Sequence, residues 1–298
     1  MNRVLYSLLR LILFLAAAPA LRAQLNVAVA IDRTNYIAYE PLPITVTVTN
    51  TSGKDVVLGG PNNTSWLNFL VTTESGRPVT SLGNPEAEAI VCRSGQSLQR
   101  RYNLPRYFHL IDSGGFLVKG SVYFPDLQRW VHSRPVRFTV RQAPQPRWEQ
   151  TFALPKGHLM AGKYRRYQIF NFHDTDRSYL YVRIIDETTG VFIATFPVSS
   201  LVPERPVQPA IDADQNLHIL CLASPQVWSH QSIDPDGKLA GQKYYRMGGG
   251  QPQLITQSSG DVMVAGGTVY DPDAKPTVPT GTEGIRRLSD RPAGIPLR

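Results

Sequence analysis

The stretch ITVTVTNTSGKDVVL, residues 44–58, decides the fold class. Ile44, Val46 and Val48 alternate with Thr45, Thr47 and Thr49, so every second side chain is apolar. That period places one row against a core and the other against water only if the backbone is extended. Valine, isoleucine and threonine also suit a pleated strand better than a helix, where branching at Cβ restricts χ1. Thr51-Ser-Gly-Lys-Asp55 supplies the turn residues, and VVL at 56–58 resumes an extended run.

The same alternation extends in both directions. VAVAI (27–31) precedes it, WLNFLVTT (66–73) follows and ends in Glu74-Ser-Gly-Arg-Pro78, and FLVKGSVYF (116–124) starts after Ser113-Gly-Gly115. In RPVRFTVRQ (134–142), Val136, Phe138 and Val140 share one face, and Arg137, Thr139 and Arg141 share the other. Seven or so short strands with regular turns predict an immunoglobulin-like β-sandwich over residues 25–142.

The order Tyr39-Glu-Pro41, ITVTVTNTSGKDVVL, FLV (69–71), Gly76-Arg-Pro-Val79, Ser94-Gly-Gln-Ser-Leu98 and Gly114-Gly-Phe-Leu-Val118 resembles bacterial immunoglobulin-like domains. The Bacillus intracellular proteinase inhibitor family shares the pattern over residues 27–141, as do N-terminal sandwiches of some secreted peptidases. The resemblance implies the sandwich fold. As an alternative function it implies a secreted peptidase inhibitor or an accessory domain of a hydrolase.

Gln142-Ala-Pro-Gln-Pro-Arg147 opens a Pro-rich segment, and residues 143–162 are expected to form a hinge between two domains. Beyond it, KYRRYQIFNF (163–172), SYLYVRIID (178–186) and VFIATFPV (191–198) alternate again. Hairpin turns are predicted at Thr188-Thr-Gly190, Asp212–Asn216, Asp234-Pro-Asp-Gly237 and Ser258-Ser-Gly260. Their regular spacing makes residues 163–270 resemble β-propeller hairpin repeats, although the segment holds too few strands to close a ring. The expectation is an all-β chain: a sandwich followed by a second, antiparallel β-meander domain with propeller-blade-like hairpins. Residues 271–298, rich in Pro and Gly, are expected to be a disordered tail.

The N-terminus reads as an export signal. Met1–Ala23 combines Arg3, the apolar run LILFLAAA (11–18) and small residues at Ala18, Ala20 and Ala23, which is a signal peptide over residues 1–23. The run falls short of the roughly 20 apolar residues that span a bilayer. Export to the periplasm or the extracellular space follows, with no transmembrane segment in the mature chain. The formal net charge of +8 drops to +5 once Arg3, Arg10 and Arg22 leave with the leader.

The sequence holds no GxSxG elbow, HExxH, Walker A or GxGxxG pattern, and a non-catalytic role is expected. No cofactor or metal is called for. Asp212-x-Asp214-x-Asn216 opens like a calcium loop but lacks the glycine and the glutamate that complete one, so it reads as a turn. His173, Asp174 and Asp176 form a polar loop, and His218 is expected to face outward with Leu220 and one hydrogen-bond partner. Cys92 and Cys221 are expected to be separate buried thiols.

The strongest local signal is charge. From Arg129 to Arg166 nine bases face one acid, Glu149. Arg147, Trp148, Lys156, Lys163, Arg165 and Arg166 are the candidate ligand-binding residues, because bases at a domain junction concentrate field and an aromatic adds apolar contact. Trp130, Trp148 and Trp228, with Tyr244 and Tyr245, are also candidate platforms for sugar rings, against the commoner role of strand aromatics in cores. The expected function is therefore an exported binding module whose partner is an envelope protein or an anionic polysaccharide. Nucleic acid is not expected for an exported chain without a nucleic-acid-binding motif.

Overall fold

Alternation becomes register. In a computed structural model that describes residues 25–61, 64–174, 177–200 and 205–272, strands Leu25–Ile31, Pro43–Asn50 and Ser97–Asn103 form an antiparallel sheet. Val27 stands opposite Val48 and Val29 opposite Val46, so the branched side chains reach the core as cross-strand pairs. A second sheet joins Asn35–Ile37, Val136–Arg141, Gly114–Phe124 and Leu67–Thr73, with Arg129–His132 also on Gly114–Phe124. The two sheets share one core that includes Ile44, Val46, Trp66, Phe69, Val118, Phe124 and Phe138.

The Thr51–Asp55 turn is held by a residue that alternation alone does not explain. Asn50 is fully buried; its Nδ2 donates to the carbonyls of Lys54 (2.7 Å) and Cys92 (2.8 Å), and its Oδ1 accepts from the Ser52 amide (2.9 Å). The buried amide thus satisfies backbone groups that the turn leaves over.

In the second half, Trp148–Ala153, Tyr164–His173, Ser178–Asp186 and Phe192–Ser200 make a four-stranded up-and-down sheet. Gln208–Ile211, Leu217–Ser224, Val227–Ile233, Leu239–Arg246 and Thr268–Tyr270 make a five-stranded one. Tyr167, Ile169, Val182 and Ile184 of the first meet Leu217, Ile219, Cys221 and Ile233 of the second in a core of their own. The chain is all-β, in several mostly antiparallel sheets; the pairing of Asn35–Ile37 with Val136–Arg141 is parallel. Among the described residues no helix is long and apolar enough to cross a membrane. The leader and the tail expected at the two ends lie outside the described residues, apart from Asp271 and Pro272.

Two expectations are corrected. The segment 143–162 is not hinge throughout, because Trp148–Ala153 pairs with Tyr164–Ile169 as the first strand of the four-stranded sheet. Its pattern is masked by the exposed Gln150, which stands between Trp148 and Phe152 on their face. His218 does not face outward with Leu220: both are buried, because Leu217–Ser224 is an inner strand covered on each face. Cys92 and Cys221 are buried free thiols, one in each core, and burial raises both thiol pKa values.

The halves meet where Asn35–Ile37 continues into Ala38-Tyr39-Glu40. Ile37 packs with Phe170, Phe172 and Tyr181 of the four-stranded sheet. Tyr39, at φ +72°, stacks on Phe192 with ring centroids 3.7 Å apart. Arg183 donates from Nη2 to the Ala38 carbonyl (3.0 Å) and from Nε to the Thr195 hydroxyl (3.2 Å), with its guanidinium 4.9 Å from the Phe192 ring centroid. Arg33 reaches the Tyr181 hydroxyl with one nitrogen and the Glu40 carboxylate with another, the latter at 3.0 Å. A non-glycine residue in the left-handed region costs energy that surrounding contacts must offset, and the Tyr39–Phe192 stack and the Arg183 bond to Ala38 stand beside it.

Two glycines show how closely the sheets of the second half approach. Gly53 and Gly237 both sit at φ +82°, but a Cβ on Gly53 meets nothing, whereas one on Gly237 would lie 2.3 Å from the Ala194 Cβ of the neighbouring sheet. Gly53→Ala is expected to cost about 1 kcal/mol from backbone strain alone. Gly237→Ala adds a clash that only moving the sheets relieves, so its melting temperature should fall clearly further. Equal shifts for the two variants would contradict this close approach.

Candidate ligand-binding site

The six basic and aromatic residues singled out in the sequence fall on one hairpin, Trp148–Ala153 paired with Tyr164–His173. Antiparallel register puts Trp148 opposite Ile169, Phe152 opposite Arg165, and Thr151 opposite Arg166. Alternation then separates the set. Trp148, Phe152 and Arg165 share the inner face, and Arg166 lies on the outer one.

Arg147 and Trp148 stand at one end of the hairpin. Arg147 is exposed and its amide donates to the Ile169 carbonyl (2.8 Å), which fixes the backbone beside the tryptophan. The half-buried Trp148, with Arg147, Ile169, Leu180, Val207 and Pro209, lines a cavity of about 160 Å³ where the edges of the two second-half sheets meet. Lys156 and Lys163 are exposed at the opposite end, roughly 17 Å along the strand. Arg166 pairs with Glu187 (3.0 Å).

Arg165 leaves the surface set altogether. It is 1% exposed, and its guanidinium forms an ion pair with Asp186 on the adjoining strand. Asp186 Oδ1 also accepts from the amides of Thr188 and Thr189 (3.0 Å each), closing the hairpin turn whose Gly190 takes φ +69°. The bonds from Thr189, its amide first, hold the Asp186 pKa below the usual carboxylate value more than Arg165 does. Position 165 is thus a structural position, and the accessible bases number fewer than the sequence suggests.

The turn at Asp212 is also occupied internally. Asp212 accepts from the Asn216 amide (2.8 Å), from Asn216 Nδ2 (2.9 Å) and from His218 Nε2 (3.0 Å), while His218 Nδ1 lies 3.0 Å from His230 Nε2. The loop at 173–176 falls partly outside the described residues; within them, His173 bonds Ser178, and Asp174 accepts from Asn35 of the first half. Among the described residues no group of three or more His, Cys, Asp or Glu is arranged to hold a metal ion.

A larger feature was not singled out by sequence reasoning. A cavity of about 730 Å³ opens in the first half, bounded by residues 59–60, 64–65, 67–68, 84–89 and Trp130. Its walls come from segments far apart in the chain. Trp130 was a candidate sugar platform, and Leu67 and Asn68 belong to the strand run WLNFLVTT (66–73), but no sequence signal joined them into one site.

No protein-family model matches this chain, and no curated protein matches it in sequence. Among solved structures it is similar to Spo0M, a sporulation control protein from Bacillus subtilis, at 8% identity, covering 57% of this chain and 82% of that one with a TM-score of 0.29. It is also similar to the YadV chaperone at 9% identity, covering 74% of this chain and 100% of that one with a TM-score of 0.23. Scores at this level carry no functional argument.

Proposed function

We propose that this chain is an exported, non-catalytic β protein of the periplasm or the extracellular space that binds an envelope partner at the Arg147–Trp148 end of the second-half hairpin. The observation that carries the reading is the cavity beside Trp148, where an apolar floor of Ile169, Leu180, Val207 and Pro209 adjoins an exposed guanidinium. Such a site offers apolar contact and a positive charge together, which suits an anionic polysaccharide or an acidic protein surface. In this reading the first half is an immunoglobulin-like sandwich that supports the site, and the second is a meander of propeller-blade-like hairpins that presents it.

Retention on immobilised polygalacturonate tests the proposal. The mature chain is expected to bind at low salt and to weaken as salt rises, because exposed charges are screened within about 10 Å at 0.1 M ionic strength. Trp148→Ala and Arg147→Ala should each weaken retention roughly tenfold, a loss near 1.4 kcal/mol. Retention unchanged in both variants, or independent of salt, would contradict the site.

A further inference from the structure

The 730 Å³ cavity has the size of a small-molecule cleft and lies in the other half of the molecule from Trp148. Its one aromatic wall is Trp130, half-buried, whose ring meets that of Tyr123 at 5.5 Å and 62°. That contact restricts the indole before any ligand arrives. The facing loop is fixed too: Trp66 Nε1 donates to the Glu88 carbonyl (2.7 Å), and Pro85 is buried. A preformed wall spares the ligand the cost of ordering it.

The polar lining narrows the chemistry. Asn68, Asn84, Thr64 and Ser65 offer amide and hydroxyl groups, Glu86 and Glu88 offer carboxylates, and among the described residues no lysine or arginine lines the cavity. Two carboxylates without a cation repel uronates, phosphates and acidic peptides. This is the opposite electrostatic character to the Arg147 site.

An extended peptide pairing with the outer strand Leu67–Thr73 is the natural competitor, because that strand lies at a sheet edge. Most of its outward groups are already engaged. The Ser65 hydroxyl bonds both the Leu67 carbonyl (3.0 Å) and the Leu67 amide (3.3 Å), and Asn68 Oδ1 accepts from the Phe69 amide (2.7 Å). Further along, the Val79 amide donates to the Val71 carbonyl (2.9 Å), and the Thr73 amide donates to the Arg77 carbonyl (2.8 Å). An edge engaged at both ends by its own side chains and by residues 77–79 leaves little length for strand addition.

What remains is a ligand read by side chains: a flat apolar face for the indole, and hydroxyls for amides and carboxylates. Sugar rings have both. A second cavity of about 440 Å³ shares Asn68 and Asn84 and runs along the same strand past Phe69, Val71 and Phe108, with Lys119 as its one charged wall among the described residues, so the two together have room for more than one ring. We infer that the Trp130 cavity binds an uncharged oligosaccharide, whose further rings extend toward Phe108.

Titration calorimetry of the mature chain with cellohexaose and, separately, chitohexaose tests this. Saturable binding of at least one is expected, weakened about tenfold or more by Trp130→Ala and several-fold by Asn84→Ala in the exposed loop, and unaffected by Trp148→Ala. Trp130→Phe, which keeps a flat ring, should retain part of the affinity and serves if the alanine variant does not fold. Failure of both hexasaccharides to bind at millimolar concentration would overturn the inference, as would binding insensitive to Trp130 and Asn84, or a preference of this cavity for hexagalacturonate. Because Trp148 is not part of this site, these results stand apart from those on polygalacturonate.

Discussion

Glu40→Gln is expected to raise the protein's stability at pH 8 relative to pH 5 by about 2 kcal/mol when each pH is compared with the native chain. The Glu40 side chain is fully buried at the junction of the halves, with Arg33 and Tyr181 bonded around it, Tyr36 beside Arg33, and Arg183 near. Burial outweighs the attraction of Arg33 and lifts the carboxyl pKa to about 7. The folded state therefore keeps this proton to higher pH than the unfolded chain does. Its contribution is fully present below the unfolded pKa near 4.5 and is lost as pH rises through 7.

His230 works in the opposite sense, since burial, His218 and Lys243 push its pKa down to about 4 and protonating it on acidification destabilises the fold. The native curve mixes the two effects. Comparing urea midpoints of native and Glu40→Gln protein at each pH isolates Glu40. A difference that stays constant from pH 5 to pH 8 would mean that Glu40 titrates as an ordinary exposed carboxylate.

The second large effect concerns Asp186. Removing it strands the Arg165 guanidinium in the interior and frees the Thr188 and Thr189 amides, so Asp186→Ala should lower the melting temperature by about 10 °C. A buried charge costs most when its partner is gone, and replacing both members by apolar groups is often tolerated. Arg165→Met combined with Asp186→Ala is thus expected to recover much of the loss. A double variant less stable than the single one would show that Arg165 contributes by more than its pairing with Asp186.

The sequence was most legible where a strand has one wet face. Ile44, Val46 and Val48 declare their side by alternation, and Gly190 and Gly237 mark turns because few other residues tolerate a positive φ. Alternation misleads where both faces are covered, as at His218 and Leu220, for there the informative signal is the unbroken apolar run around them. Trp148–Ala153 was missed because a polar side chain, Gln150, stands on its inner face. The surface set lost Arg165 for a related reason: charge was read without its cross-strand partner, and Asp186 lies 21 residues away.

Neither the Trp130 cavity nor the Glu40 junction follows from local pattern. The cavity is assembled from residues 59–60, 64–65, 67–68, 84–89 and Trp130, and Glu40 is buried against Tyr181 of a strand more than 130 residues downstream. Both depend on how sheets pack, which no window of ten residues encodes.

The binding role proposed for the Arg147–Trp148 end is tested most directly by hydrogen exchange of the protein with and without polygalacturonate. Bound polymer should slow exchange in residues 147–153 and 164–169 and in 207–211, which border the cavity. Protection elsewhere with these segments unchanged, or no protection at saturating polymer, would contradict that role.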